Sequence, residues 1–344
     1  MRKYLFKMGI VLAILGIVVL SACSRQEAGQ GEEDDTLQRA DVVEVENLRI
    51  ENYFVKGKNI QTFDEVPQRV VVIGETETEA LMALGVQDRI VMAFKSNDRG
   101  QNMRPENAAR FAEVPQKTRA YINVEYISSL RPDLIVAQQA LFTQIRLRDT
   151  DYWNRRGIKT FVPYNTNTPS KHIHPETIEK EMQYIEGLGR IFHKEERAAE
   201  IVRETQETIR EIREKTANVP KPKVMFVEFW SSLVCYDKTK LAGDMAASLG
   251  ADVSTMPPVI NLEQIIEEDP DVLFVVCSHS DYGACRMRIT ENPALAQLRC
   301  VANHRVYSIP LRYTYSSLAR TADGLRYMAQ CMYPQEFPWV DDPH

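Results

Sequence analysis

The chain has 344 residues, 44% hydrophobic and 26% charged, with a formal net charge of -6. That length is enough for two domains with cores of their own. The acidic balance offers nothing to a nucleic acid.

At the start, Arg2, Lys3 and Lys7 precede an apolar run from Met8 to Leu20, followed by Ser21-Ala22-Cys23. A basic start, a short hydrophobic segment and small residues before a cut read as an export signal, and the run is short for a membrane span. The mature chain is expected to begin at Cys23. Residues 1–22 carry three basic and no acidic side chains, so their removal takes the net charge from -6 to -9. Residues 24 to about 47 hold Gln, Gly and the run Glu32-Glu33-Asp34-Asp35. With so little to bury, they are expected to form a flexible tether. The expected division is a signal at 1–22, a lipidated cysteine and tether at 23–50, an N-terminal lobe at 51–175, connecting helices at 176–218 and a C-terminal lobe at 219–344.

In the first half, apolar strand-like runs occur at Arg69 to Ile73, Ile90 to Phe94, Leu134 to Ala137 and Thr160 to Pro163. Between the first two lies a helical pattern from Thr78 to Leu84, stopped by Gly85. Strands alternating with helices predict a parallel sheet covered on both faces.

One string is written twice, 138 residues apart: Asn123-Val-Glu125-Tyr-Ile127 followed by Pro132-Asp133, and Asn261-Leu-Glu263-Gln-Ile265 followed by Pro270-Asp271. Each copy reads as an Asn-capped short helix, a proline stop and a buried strand. An acid in the first turn complements the helix dipole, which is a sufficient structural reason for Glu125 and Glu263 taken singly. It does not explain the recurrence of the whole string. A duplicated unit implies two similar lobes, and two lobes imply a cleft.

Between the copies, Ile178, Met182, Ile185 and Leu188 fall at helical spacing, and Glu195 to Lys215 carries Ile201, Val202, Ile209 and Ile212 on one face. At the rise of an α-helix the second run spans roughly 30 Å, the width of a small domain, and makes a stiff connection. The second half repeats the plan, with strands at Lys223 to Phe229, Asp271 to Cys277 and Arg305 to Ile309 and a helix at Leu241 to Leu249 stopped by Gly250. The fold class is therefore α/β: two Rossmann-like lobes of parallel sheet flanked by helices, joined by a long connecting helix, with a ligand cleft between them. Beyond Cys23 the cysteines are Cys235, Cys277, Cys285, Cys300 and Cys331. An odd number outside the cytoplasm leaves at least one free thiol or an unusual partner, and no C-x-x-C spacing points to zinc or redox chemistry.

Leu20-Ser21-Ala22-Cys23 resembles the lipobox of bacterial lipoproteins, in which the cysteine is lipidated. Together with Val70-Val71-Val72-Ile73-Gly74, Thr78-Glu79-Ala80-Leu81, Leu84-Gly85, Leu130-Arg131-Pro132-Asp133, Asn292-Pro293 with Leu298, and Val306-Tyr307-Ser308-Ile309-Pro310, the chain resembles the substrate-binding lipoproteins of ABC importers for ferric siderophores, haem and cobalamin. The resemblance implies a monomeric, extracytoplasmic receptor held at the bacterial membrane only by its lipid, with no cofactor of its own and an iron chelate as cargo. It also implies that one glutamate on each lobe, here Glu125 and Glu263, docks onto arginines of the membrane permease. Charge-assisted bonds of that kind are directional, and exposed ones are weak enough to release.

Ligands of parallel sheets meet the loops beyond the strand carboxyl ends. That rule selects Glu75 and Thr76, Lys95 to Arg99, Gln138 and Gln139, Tyr164, Phe229 and Trp230, Ser278 to Tyr282, and Arg312 to Tyr315. Trp230, Tyr282, Tyr313 and Tyr315 offer faces to a macrocycle or catecholate, while Arg99 and Arg312 suit carboxylates or an anionic ferric complex. Haem would need an axial ligand; Tyr121, out of register with the tyrosine of haem-binding relatives, and His279 are the candidates. His172 and His174 alone are too few to hold a free metal ion. No G-x-S-x-G, H-E-x-x-H, phosphate loop or G-x-G-x-x-G occurs, and no nucleophile and base can be paired, so the chain does not read as an enzyme.

Overall fold

The structure, a computed structural model, describes residues 42–94, 103–118, 122–166, 174–277 and 282–338. It opens with an antiparallel hairpin, β1 (Val43–Glu51) and β2 (Phe54–Phe63), turned at Asn52 and Tyr53 with φ of 49° and 75°. Residues 43–50 thus belong to the fold, and the expected tether boundary at residue 50 is too late. β1 is fastened to the first lobe through Asn47, which is wholly buried. Its Nδ2 donates to Thr160 Oγ1 at 2.9 Å and its Oδ1 accepts from the Val162 N–H at 3.0 Å.

The N-terminal sheet is entirely parallel. Its strands are β3 (Val70–Ile73), β4 (Ile90–Phe94), β5 (Lys117–Thr118), β6 (Leu134–Ala137) and β7 (Lys159–Phe161), in the order β5-β4-β3-β6-β7. The unbroken apolar runs of β3 and β6 follow from burial on both faces. Val70, Val72 and Val136 join one core cluster, and Val71, Ile73 and Ile135 another. Helices α1 (Glu75–Ala83), α2 (Pro105–Glu113), α3 (Val124–Ser129) and α4 (Thr150–Asn154) complete the lobe.

Two helices brace the halves: α5 (Ile178–Ile191) and α6 (Glu195–Lys215), packed on each other. α5 starts in the second core with Ile178 and ends in the first with Leu188 and Ile191. α6 starts in the first with Ala198 and Ile201 and returns to the second at Ile212. The chain therefore crosses out and back along an antiparallel helical pair, with apolar contacts at both ends resisting bending.

The C-terminal sheet is mixed. Strands β8 (Lys223–Phe229), β9 (Leu233–Tyr236), β10 (Asp252–Val253), β11 (Val259–Ile260), β12 (Val272–Cys277) and β13 (Val306–Pro310) run in the order β11-β9-β8-β12-β13, with β10 against β8. β8, β12 and β13 are parallel as expected, whereas the β8–β9 and β9–β11 pairings are antiparallel. Helices α7 (Leu241–Ser248), α8 (Leu262–Glu268), α9 (Tyr282–Thr290), α10 (Arg299–Ala302) and α11 (Leu311–Thr314) surround it.

After α11 the chain turns back to the first lobe before its last helix, α12 (Thr321–Met332). Ser316 and Leu318 adopt φ of 48° and 49°, a conformation that costs a non-glycine residue on the order of 1–2 kcal/mol. Leu318 and Ala319 drop into the N-terminal core, and the Leu318 N–H donates to the buried Glu181 carboxylate. Residues 219–344 therefore do not all belong to the C-terminal lobe. An ionic seam seals the return. Buried Arg320 donates to Glu79 Oε2 at 2.9 Å, pairs with Asp323, and donates to the Tyr313 hydroxyl at 3.0 Å. Arg104 of the first lobe grips Asp323 with two bonds of 3.0 and 2.7 Å.

Candidate functional site

At the carboxyl edge of the N-terminal sheet, Ile73 and Ala137 are paired, so the segments following β3 and β6 are neighbours. Glu77 folds back over Gly74, whose φ is 148°; a Cβ there would lie 1.8 Å from Glu77 Oε2, so only glycine fits. Glu77 is fully buried and its Oε1 has no hydrogen-bond partner among the described residues. Burial pushes its carboxyl up to about 7. Burial raises Glu181, on α5, to about 7 as well, although Asn165 Nδ2 donates to it at 2.7 Å and the Leu318 N–H also donates. Tyr315, from the C-terminal half, lies within electrostatic reach of Glu176, Glu77 and Glu181, and burial foremost raises its phenol. The strand ends of the first lobe and the segment after β13 thus meet at one place.

The C-terminal strand ends carry the basic and aromatic residues. Arg312 Nη1 donates to the Tyr282 hydroxyl at 3.1 Å, bringing together two residues 30 positions apart. The guanidinium groups of Arg312 and Arg320 both lie over the Tyr313 ring, at 5.1 and 5.3 Å from its centroid. With its hydroxyl engaged by Arg320, Tyr313 supports Arg312 more than it offers a free ring face. Trp230, just past β8, is 67% exposed, an unusual position for a large aromatic side chain with nothing to meet. Fixed guanidinium donors and aromatic faces are the chemistry that an anionic chelate needs. Cys23, Arg99, Tyr121, His172 and His279 lie outside the described residues. His174 is exposed, and the described residues contain no group of three or more His, Cys, Asp or Glu placed to hold a metal ion. Cys277 and Cys285 form a disulfide across the end of β12 and α9, while Cys235, Cys300 and Cys331 are buried free thiols.

The duplicated string is duplicated in space. Glu125 and Glu263 are both exposed in the first turn of their helices, and neither enters a core. Asn123 Oδ1 accepts from the Tyr126 N–H at 2.8 Å, and Asn261 Oδ1 from the Gln264 N–H at 3.0 Å. Asp133 accepts from the Arg69 N–H and Asp271 from the Lys223 N–H, each pinning the start of the neighbouring strand. The first residue of each pinned strand segment also caps its helix: the Arg69 side chain donates to the carbonyls of Leu130 and Arg131, and Lys223 Nζ to that of Glu268. The sequence reading passed over Arg69 and Lys223. The available signal was a basic residue shortly after a proline in both halves, Arg69 two positions after Pro67 and Lys223 directly after Pro222.

Comparison with known proteins agrees with this architecture. The family model described as periplasmic binding protein matches residues 70–313. A crystal structure of a periplasmic binding protein from Veillonella parvula superposes with a TM-score of 0.79 at 29% identity, covering 88% of this chain and 95% of that one. Two Bacillus subtilis proteins are each 22% identical. The uncharacterized ABC transporter substrate-binding lipoprotein YvrC matches over 80% of this chain and 83% of its own length. The Fe(3+)-citrate-binding protein YfmC matches over 89% and 90%. Matched lobes, a helical brace and a family match spanning both sheets lead to one conclusion: the chain belongs to the periplasmic binding protein family, the substrate-binding proteins of ABC importers, which are transport proteins rather than enzymes.

Proposed function

We propose that the chain is a monomeric lipoprotein that captures a ferric chelate at the cleft and hands it to an ABC permease. The observation that carries the reading is the pair of exposed acids, Glu125 and Glu263, set in the same helix–strand frame on each lobe. Cys23 is the lipidated residue, and the polar segment after it spaces the fold from the membrane. The iron assignment is supported by the Fe(3+)-citrate-binding relative and by the arginine and aromatic groups at the strand ends. Trp230, Tyr282, Arg312 and Tyr315 form the chelate-facing set, Tyr313 supports it, and Arg99 and Tyr121 complete it from segments outside the described residues. The twofold brace leaves little room for wide closure, so a preformed cleft meets a rigid ligand at low ordering cost. Haem and cobalamin are the alternative cargoes.

The test joins delivery to binding. Glu125→Lys with Glu263→Lys is expected to lower uptake of ferric citrate or a ferric hydroxamate to background, with each single variant losing about tenfold, as for charge pairs at a docking rim. Quenching of Trp230 fluorescence by the same chelates should be unchanged. Lost affinity in the double variant, or quenching by haemin or cobalamin alone, would count against the reading.

A further inference from the structure

The two helices that present Glu125 and Glu263 differ in what surrounds those acids, and the duplication supplies its own control. Matching the strings at their caps, Asn123 to Asn261, pairs Glu125 with Glu263, Ser128 with Ile266 and Ser129 with Glu267. In both copies the glutamate and the residues three and four positions after it are exposed. Residues at that spacing are neighbours on a helix surface. Glu263, Ile266 and Glu267 therefore share one face of α8, whereas the matching face of α3 carries Glu125 with two serines. Ile266 is 45% exposed, although Ile265 beside it is wholly buried and already anchors the helix. The strand entering α8 adds Val259, 59% exposed and two positions before the cap, while Ile260 next to it joins the core. Between Ile122 and Leu130 no large apolar side chain is exposed. A single exposed aliphatic residue is ordinary on a protein surface. Two of them bracketing a glutamate in one copy of a duplicated frame are not required by the fold, since α3 keeps the same geometry without them.

We propose that the α8 face is the stronger of two unequal docking points, and that it takes a permease segment in which an arginine is set among aliphatic side chains. The proposal rests on the reading that Glu125 and Glu263 meet the permease, and it assigns a chemistry to each contact. At α8 the arginine has two carboxylates within one face, and Ile266 and Val259 offer apolar cover to its neighbours. Apolar contact around an ion pair excludes water and lowers the local dielectric, so the pair is stronger and less open to salt. At α3 that cover is missing, and the contact stays a solvated pair, weak and easily screened. Release then begins at the N-terminal lobe while the C-terminal lobe still holds.

Binding of the mature chain, made without its lipid, to right-side-out membrane vesicles from the cells that produce it tests this, with protein-free liposomes of the extracted lipid alongside. Ile266→Ser is expected to weaken saturable binding about fivefold, and Ser128→Ile to strengthen it by a similar factor. Raising the salt from about 0.1 M to about 1 M cuts the screening length from about 10 Å to about 3 Å. That change should weaken Ile266→Ser more than the parent and Ser128→Ile less. Both positions are exposed, so both variants should melt with the parent, and their results read contact and not folding. Binding by both variants equal to the parent at both salts overturns the proposal. Equal binding to protein-free liposomes also overturns it, because the apolar pair is then a lipid contact. The paired variant Glu125→Lys with Glu263→Lys separates the two readings. If it fails to bind while Ile266→Ser binds as the parent does, the unequal docking alone is rejected. If it binds like the parent, or the parent does not bind the vesicles, the docking reading itself falls and takes the proposal with it.

Discussion

The two copies of the helix–strand unit are fastened by the same bonds but to different degrees. In the first, Asp133 accepts from the N–H groups of both Gln68 and Arg69. In the second, Asp271 accepts from one backbone N–H, that of Lys223, and the frame is shored up from outside. There Arg299 pairs with Asp269 and Asp271 at 2.9 and 2.6 Å, and Asn261 forms a full capping box with Gln264. The first copy thus depends on one carboxylate, whereas the second spreads the same task over several groups. Duplication preserved the geometry that presents each glutamate while letting its supports diverge.

The lobes also differ in how their strand-end acids are met, and this difference gives the largest expected stability effect. Glu77 of the first lobe rises to about 7 on burial, while in the unfolded chain a glutamate titrates near about 4.3. The folded form therefore holds the proton more tightly. The associated stability is fully present below the unfolded value and is lost as pH rises to about 7. Between about pH 5 and pH 8 the protein should lose roughly 2–3 kcal/mol through Glu77, and a comparable amount through Glu181. Glu77→Gln should remove about half of that slope in thermal melts, and an unchanged slope would contradict the burial account.

Next in size is the contrast between the matched aspartates. Asp133→Ala, which removes the acceptor of two backbone N–H groups, should cost about 1–3 kcal/mol in urea denaturation, and Asp271→Ala, which removes that of one, about 0.5–1.5 kcal/mol. Equal losses would mean that the two frames are alike after all. The smallest effect belongs to Arg299→Ala. Its ion pairs are exposed and screened, so the fall in melting temperature should be less than that of either aspartate variant. A larger fall would show that the outer clamp, rather than Asp271, holds the second frame.

Much of the architecture was legible because burial on both faces writes a continuous apolar run, as in Val70–Ile73 and Val272–Cys277, and because Ile178, Ile185 and Leu188 keep helical spacing. The hairpin was not. Asn47 occupies an inward position of β1, so the period-two signal is broken by a polar residue whose partners, Thr160 and Val162, lie more than 100 positions away. β9 to β11 are short and sit at or near the sheet edge, where few residues carry a pattern. At the site, the strand-end rule brought Tyr282, Arg312, Tyr313 and Tyr315 to one region. It could not say that the Tyr313 hydroxyl would be taken by Arg320.

The return of Leu318 and Ala319 to the first core has a consequence for how the molecule comes into being. Residues made near the end of synthesis complete a lobe whose sheet was finished by residue 161. A chain cut short before Leu318 would leave an unfilled hole between α1 and α5 and strip Glu79 of its only buried arginine partner among the described residues. Neither half is a module that could be traded or borrowed alone, and a nascent chain must emerge almost whole before either half can settle.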